Sequence, residues 1–215
     1  GTSAFRETRP LSTVIFESGS MIDSIPAAAF YLCSETKSVS ITGAVGIRNI
    51  GTEAFIGTTA LRSINLEEAT SLHTIGHSAF QSSGLESVTL PASLEYIYYE
   101  AFYNCKSLRS VTLSAGIGLV ELQYSAFYET PLLASINLEA ATKLEVIGSH
   151  AFRKSGLNSI IVPRSLHTLG TSAFRETRPL STVIFESGSM IDSIPAAAFY
   201  LCSETKSVSI TGAVG

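Results

Sequence analysis

The segment LESVTLPASLEYIYYEAFYNC, residues 85–105, contains the pattern from which the fold can be predicted. Its first half places apolar residues at Leu85, Val88 and Leu90, and the alternation at the end of that half predicts a short β-strand. Its second half closes on the dipeptide Ala101-Phe102, for which we expect a tight turn or a single helical turn. One such segment cannot bury its own apolar face, so it requires neighbours of the same kind.

The same pattern recurs along the whole chain, and the dipeptide Ala-Phe marks each copy. Successive copies lie 22 or 25 residues apart, which is a period typical of solenoid repeats. A small residue beside a large one predicts a closely packed corner, in which Ala lets neighbouring coils approach and Phe fills the core. The pairs to which we assign this structural role are Ala79-Phe80, Ala101-Phe102, Ala126-Phe127 and Ala151-Phe152. Residues 1–215 are therefore predicted to be a single continuous array, with units marked by Phe5, Phe30, Phe55, Phe80, Phe102, Phe127, Phe152, Phe174 and Phe199.

The repeat resembles that of the BspA-like, or treponemal-type, leucine-rich repeat family. The family pattern is roughly L-x-x-I-x-L-P-x-S-L-x-x-I-G-x-x-A-F-x-x-C, and residues 85–105 and 157–174 are its closest copies here. The resemblance implies a leucine-rich repeat solenoid of the α/β, strand-rich class, a curved right-handed coil with a parallel sheet on its concave face. It also implies an extracellular or cell-surface protein with a role in adhesion.

A second level of order is superimposed on the repeat. Residues 56–80 match residues 128–152 at 14 of 25 positions, so blocks of three units recur every 72 residues. Residues 170–215, in contrast, are an identical copy of residues 1–46. Packing cannot require identity at surface positions, so this recurrence indicates a recent duplication, a design, or a window on a longer array. Neither end carries a polar terminal cap, and we expect the array to continue or to associate end to end.

Composition excludes several classes of function. The net charge is −4, only 15% of residues are charged, and no basic cluster is present, which argues against a nucleic-acid partner. No apolar run approaches the ~18 residues that a membrane-spanning helix needs, so we expect no membrane insertion. The 45% hydrophobic content instead predicts a large buried core.

The residues that could carry chemistry do not form a recognisable catalytic or metal-binding motif. Cys33, Cys105 and Cys202 all follow a marker Phe by three residues and are coils apart, too far for a disulfide, so we interpret them as small buried residues. His73 and His77 are four residues apart, but their segment includes Ile75-Gly76, which favours a turn over a metal-binding helix. We therefore predict a protein that is not an enzyme and has neither a cofactor nor a metal.

A column of hydroxyl side chains is the most informative surface feature. The residue before each central Val or Ile of the predicted strand is always Ser or Thr, and the position two residues later is also mostly uncharged. Alternation along the strand directs both positions away from the core. Three interpretations remain open, namely packing and hydrogen bonding of small side chains between strands at the tight inner radius, a polar face that binds a protein or glycan, and O-glycosylation. The candidate residues are Thr13, Ser38, Ser63, Asn65, Ser87, Thr89, Ser110, Thr112, Ser135, Asn137, Ser159, Thr182 and Ser207.

Two functional hypotheses follow. The first is a structural extracellular repeat protein, a segment of a longer surface array or an end-to-end filament. The alternative is an adhesion module that recognises a host or matrix protein, or a glycan, through the concave face. A cluster of tyrosines between Tyr96 and Tyr128 is expected either to form a lateral stack within the solenoid or to contact a neighbouring chain.

Overall fold

The computed structural model describes residues 2–8, 10–17 and 19–210, and only the backbone of Ile210. The identical segments 1–46 and 170–215 are thus described except for Gly1, Arg9, Ser18 and residues 211–215, which lie outside the described residues.

The predicted strands form one set of parallel pairs, here called the first ladder. Alternation buries Val88 and Leu90 and leaves Ser87 exposed, and Ser87 lies opposite Ser110 in the next coil. The predicted solenoid with a parallel sheet is therefore confirmed. Its strands are β1 (Thr13–Ile15), β3 (Ser38–Ser40), β5 (Ser63–Ile64), β7 (Ser87–Leu90), β9 (Ser110–Leu113), β11 (Ser135–Ile136), β13 (Ser159–Val162), β15 (Thr182–Phe185) and β16 (Ser207–Ile210).

A second ladder, for which the residue spacing gives no signal, runs along another side of the coils. Seven units, those that end in the turns from Phe30 to Phe174, each contribute a strand of only two residues just before the Ala-Phe turn, and these strands pair in parallel without a break. Two residues are too few for an alternation of apolar and polar side chains to be detected in the sequence. These strands form because the stacked coils bring their backbones into register. They are β2 (Ser24–Ile25), β4 (Asn49–Ile50), β6 (Thr74–Ile75), β8 (Tyr96–Ile97), β10 (Glu121–Leu122), β12 (Val146–Ile147) and β14 (Thr168–Leu169).

The Ala-Phe dipeptide lies in a turn that is hydrogen-bonded to the next coil. Around Phe102, both Glu100 and Asn104 have positive φ, and the same two positions around every other marker Phe do as well. The Phe102 N–H donates to the Ala126 carbonyl at 2.8 Å, which compensates for the unfavourable backbone conformation. Helical structure in the described part of the chain is limited to two 3₁₀ helices, Leu66–Glu68 and Leu138–Ala140.

The core is a single apolar column that runs from coil to coil. The marker Phe rings stack face to face with centroids 5.0–5.4 Å apart along the whole array. The rings at the centre of the array, such as Phe102 and Phe127, are completely buried, and so are the Ala residues before them. Because each ring between Phe30 and Phe174 contacts one ring in the preceding coil and one in the following coil, burial in an inner coil depends on both neighbours.

Candidate functional site: the hydroxyl face of the first ladder

The hydroxyl column lies on the outer surface of the first ladder, as alternation requires. Most of its members are exposed, and Ser110 and Thr182 are half-buried. None of the nine column hydroxyls forms a side-chain hydrogen bond within the described residues, so of the structural interpretation only the packing of small side chains remains. The column is Thr13, Ser38, Ser63, Ser87, Ser110, Ser135, Ser159, Thr182 and Ser207.

Two of the candidate residues, Asn65 and Asn137, have a different role from the hydroxyls. The chain leaves the strand at Asn65, where ψ is 63°, and the Asn65 carbonyl turns inward to accept from Glu68 N–H at 3.3 Å. The Asn65 side-chain oxygen replaces that carbonyl and accepts from Ile41 N–H at 2.9 Å. Asn137 accepts from Leu113 N–H in the same way, at 2.7 Å. These amides therefore complete the backbone hydrogen bonding of the preceding coil.

The early end of the strand at each Asn interrupts the first ladder. The strands pair as β1-β3-β5, β7-β9-β11 and β13-β15-β16, with breaks after β5 and β11. The two breaks recur at the same place in the three-unit blocks, because β5 and β11 lie 72 residues apart and occupy equivalent positions.

A shallow depression lies at each break in the first ladder. Most of the candidate residues line one or the other of these two depressions. The first has a volume of about 230 Å³, and the second of about 380 Å³. Each contains a single carboxylate on an otherwise uncharged surface, from Glu67 in the first and Glu139 in the second. The first is lined by Ser63, Asn65, Ser87 and Thr89, and the second by Thr112, Ser135, Asn137, Ser159 and Ile161, among others. Candidate residues that are separated in the sequence thus lie together in two sites of similar composition.

The cysteines are part of a longer column of small hydroxyl and thiol side chains, most of them buried. Cys105 is fully buried, its thiol donates to the Phe80 carbonyl at 3.0 Å, and burial raises its pKa to about 11. The Thr58 hydroxyl also donates to a marker Phe carbonyl, but to that of Phe55 in its own coil, at 2.8 Å, whereas Phe80 belongs to the coil before Cys105. All nine units have Thr, Ser or Cys at this position, a regularity that could have been detected in the sequence. The column is Thr8, Cys33, Thr58, Ser83, Cys105, Thr130, Ser155, Thr177 and Cys202.

The histidines His73 and His77 lie on opposite sides of a short strand. His73 precedes β6 and His77 follows it, so the two do not share a helix face. Within the described residues no group of three or more His, Cys, Asp or Glu side chains could hold a metal ion. No helix in the described ranges is long and apolar enough to cross a membrane.

The tyrosines lie on two sides of the Phe column. Tyr103 stacks on Tyr128 with ring centroids 5.3 Å apart, just after the marker Phe residues. Tyr99 and Tyr124 come three residues before the next marker Phe and are about half exposed. His77 packs against Tyr99 at 4.7 Å on this second side.

Charged residues are concentrated next to the first of these tyrosine groups. Arg153 donates to Glu176 at 2.7 Å, and Lys154 donates to Glu129 at 3.0 Å. The Arg153 hydrogen bond lowers the pKa of Glu176, and the Glu129 hydrogen bond raises the pKa of Lys154. These ion pairs join adjacent coils at the turn and lie outside both depressions.

These features define a class of protein, the leucine-rich repeat solenoid. The family model of the BspA type leucine-rich repeat region matches in six copies, over residues 1–73, 23–144 and 120–214. The chain belongs to this family, as the resemblance predicted. No curated protein matches the chain.

Among solved structures, that of one leucine-rich repeat protein supports the fold, and two others show a weaker similarity. A leucine-rich repeat protein from Bacteroides ovatus is 26% identical with a TM-score of 0.66, and the match covers 99% of this chain and 58% of that one. A leucine-rich repeat protein from T. pallidum is 27% identical over 67% of this chain and 76% of its own, with a TM-score of 0.45. A leucine-rich cell surface protein from Faecalibacterium prausnitzii is 19% identical with a TM-score of 0.43, over 100% of this chain and 76% of that one. The chain spans little more than half the length of the Bacteroides ovatus protein.

Proposed function

We propose that this chain is a non-catalytic structural segment of an extracellular or cell-surface repeat array, and that its coils associate end to end. Membership of the BspA-type family supports a repeat scaffold. The observation that carries the proposal is the directionality of the hydrogen bonds between coils. In every internal turn the N–H of the marker Phe donates to the Ala carbonyl of the following coil, as Phe102 does to Ala126.

At the first and last described turns, only one of the two partners of this hydrogen bond is present. The Phe199 N–H meets no acceptor and the Ala4 carbonyl meets no donor within the described residues. The Phe5 ring is 47% exposed because it stacks on one neighbour only. A further coil, from a longer chain or from a second copy, would satisfy these groups and bury apolar surface at about 25 cal/mol per Å².

Light scattering and electron microscopy of the purified chain test this proposal. We expect the mass to rise with protein concentration and rods to be visible in micrographs. Phe5→Glu should reduce association, because it places a charge on the end face, whereas Leu132→Glu should not, because Leu132 is a similarly exposed apolar residue far from both ends. A compact monomer at all concentrations would contradict the proposal.

A second function is favoured by the two depressions on the first ladder. We propose that they bind a host or matrix protein or a glycan, since each combines free hydroxyls with one carboxylate in a repeated geometry. Ser63→Glu and Ser135→Glu should abolish retention on arrays of matrix proteins and oligosaccharides while leaving association intact. The same change at exposed Ser203, outside the ladder, is the control. Retention unaffected by both changes would contradict this function.

The exposed hydroxyls are also candidates for O-glycosylation. Intact-mass measurement of the chain from its native source would show added hexose masses if the column is modified. In that case the sugar would cover the depressions, and the binding function would have to be abandoned.

A further inference from the structure

A groove on the second ladder has features that neither of the proposed functions uses. It runs across β4 and β6 next to the Ala-Phe turns and has a volume of about 340 Å³. It lies on a different ladder from the hydroxyl column. Its lining includes Asn49, Gly51, Thr74, Gly76, His77 and Tyr99.

The floor of the groove is bare because the coils approach too closely there for side chains. A Cβ on Gly51 would lie 2.5 Å from the Ala27 nitrogen, and a Cβ on Gly76 would lie 2.8 Å from the Ile50 carbonyl oxygen. In the next coil Tyr98 occupies the corresponding position and closes the groove at that end. The glycines thus shape a recess with an aromatic boundary.

The wall of the groove is aromatic, and its position is held by neighbouring groups. Tyr99 is 48% exposed, and its ring centroid lies 4.7 Å from that of His77. His77 Nδ1 lies 3.0 Å from the Tyr99 carbonyl oxygen, which orients the imidazole. Tyr124 and His150 continue this row in the following coils, with ring centroids 5.4 Å apart. The row therefore presents a partly exposed aromatic surface over several coils.

Thr74 and Asn49 at the rim carry no charge, and part of their hydrogen-bonding capacity is unused. The Thr74 hydroxyl donates to the Asn49 side-chain oxygen at 2.7 Å, which leaves the Asn49 amide N–H₂ without an acceptor in the described residues. No Asp, Glu, Lys or Arg lines the groove among the described residues. A charged ligand would lose hydration here without gaining a partner of opposite charge.

We propose that this groove binds a neutral oligosaccharide. A sugar ring offers an apolar face for the tyrosine and hydroxyls for the amide and threonine groups, which matches both parts of the lining. An extended peptide fits less well, because peptide grooves supply main-chain hydrogen bonds. The floor N–H groups of Gly51 and Gly76 already donate to Ile25 and Ile50, each at 2.8 Å. A nucleic acid would need cationic groups, which the groove does not have.

The experiment uses an array of neutral, sialylated and sulfated oligosaccharides, followed by calorimetry with the best neutral probe. We expect the chain to retain neutral probes only. Tyr99→Ala should weaken binding about tenfold or more, Tyr99→Phe should preserve it, and Asn49→Asp should abolish it by replacing donors with a charge. Tyr200→Ala is the matched control, because Tyr200 is equally exposed but lies after its marker Phe.

Oligosaccharide binding is measured independently of end-to-end association, which is followed separately by light scattering. Absence of retention of any neutral probe would overturn it. So would equal weakening by Tyr99→Ala and Tyr200→Ala, retention of acidic probes alone, or capture of a proline-rich peptide in place of the sugars. A loss of self-association on Tyr99→Ala would show instead that a second copy covers the groove.

Discussion

The rings of Phe102 and Phe127 lie parallel at an interplanar angle of 3°, with their centroids 5.0 Å apart. This separation is close to the ~4.8 Å between paired strands, because both are set by the stacking of one coil on the next. The Phe column therefore has the same axial repeat as the two ladders. The spacing of the core rings and the spacing of the paired strands are therefore coupled. A substitution that changes one of these spacings should also change the other.

Truncation within the Phe column should be costly. Phe102→Ala is expected to lower the free energy of unfolding by about 3–5 kcal/mol, because Phe102 is completely buried and contacts rings on both sides. Urea denaturation followed by circular dichroism measures this change. Phe5→Ala is the matched control and should cost clearly less, because Phe5 is 47% exposed. Equal costs at the two sites would show that the stack does not act as a continuous core.

Loss of the Asn137 side chain should leave a backbone group without a partner. Asn137 Oδ1 accepts from Leu113 N–H, and Asn137 Nδ2 donates to the Leu113 carbonyl at 3.0 Å. Asn137→Ala should therefore lower the free energy of unfolding by about 1–3 kcal/mol. Hydrogen exchange should also accelerate at the Leu113 amide. Ser135→Ala, two residues earlier and without side-chain hydrogen bonds, should be nearly neutral, and a comparable cost there would argue against this role.

The floor of the second ladder should tolerate no side chain at Gly76. The Cβ of Gly76→Ala would lie 2.8 Å from the Ile50 carbonyl oxygen, so the two coils must separate. We expect a loss of about 1–3 kcal/mol in the free energy of unfolding, measured by thermal or urea denaturation. Gly46→Ala provides the comparison, because its Cβ would be 3.6 Å from the nearest atom. That change should be neutral or slightly stabilising.

Burial should make Cys105 unreactive and its contribution to stability dependent on pH. Its pKa is raised from 9.0 to about 11 by burial, so at pH 8 only about one thiol in a thousand is the reactive thiolate. Iodoacetamide should not modify Cys105 at pH 8 until urea unfolds the chain. Because the unfolded state loses this proton first, the contribution is complete below about pH 9 and is lost as pH rises through 11.

The Cys105→Ala variant isolates that contribution. The difference in unfolding free energy between wild type and variant should be constant below pH 9 and shrink towards pH 11. Rapid alkylation of Cys105 in the native protein at pH 8 would contradict the buried position.

Much of the architecture could be predicted from residue spacing. Ala101-Phe102 and its eight counterparts identify the corner, and Val88 and Leu90 identify the first strand, because both signals are local and repeated. The strand at Thr74–Ile75 could not be predicted, because two residues carry no periodicity. Residue spacing indicates the candidate site only as a column of hydroxyl side chains. That Ser63 and Ser87 share a depression depends on the break that Asn65 introduces between their strands.

The repeat unit, the number of its copies and the family follow from residue spacing alone, since a small–large pair at a 22–25-residue period can bury its apolar face only by stacking. The breaks in the first ladder, the amides that complete the backbone hydrogen bonding and the groove between a glycine floor and an aromatic wall arise from the folded arrangement of the coils. These features depend on contacts between residues about 25 positions apart, such as Asn65 with Ile41. Such contacts exist only once neighbouring coils are in register.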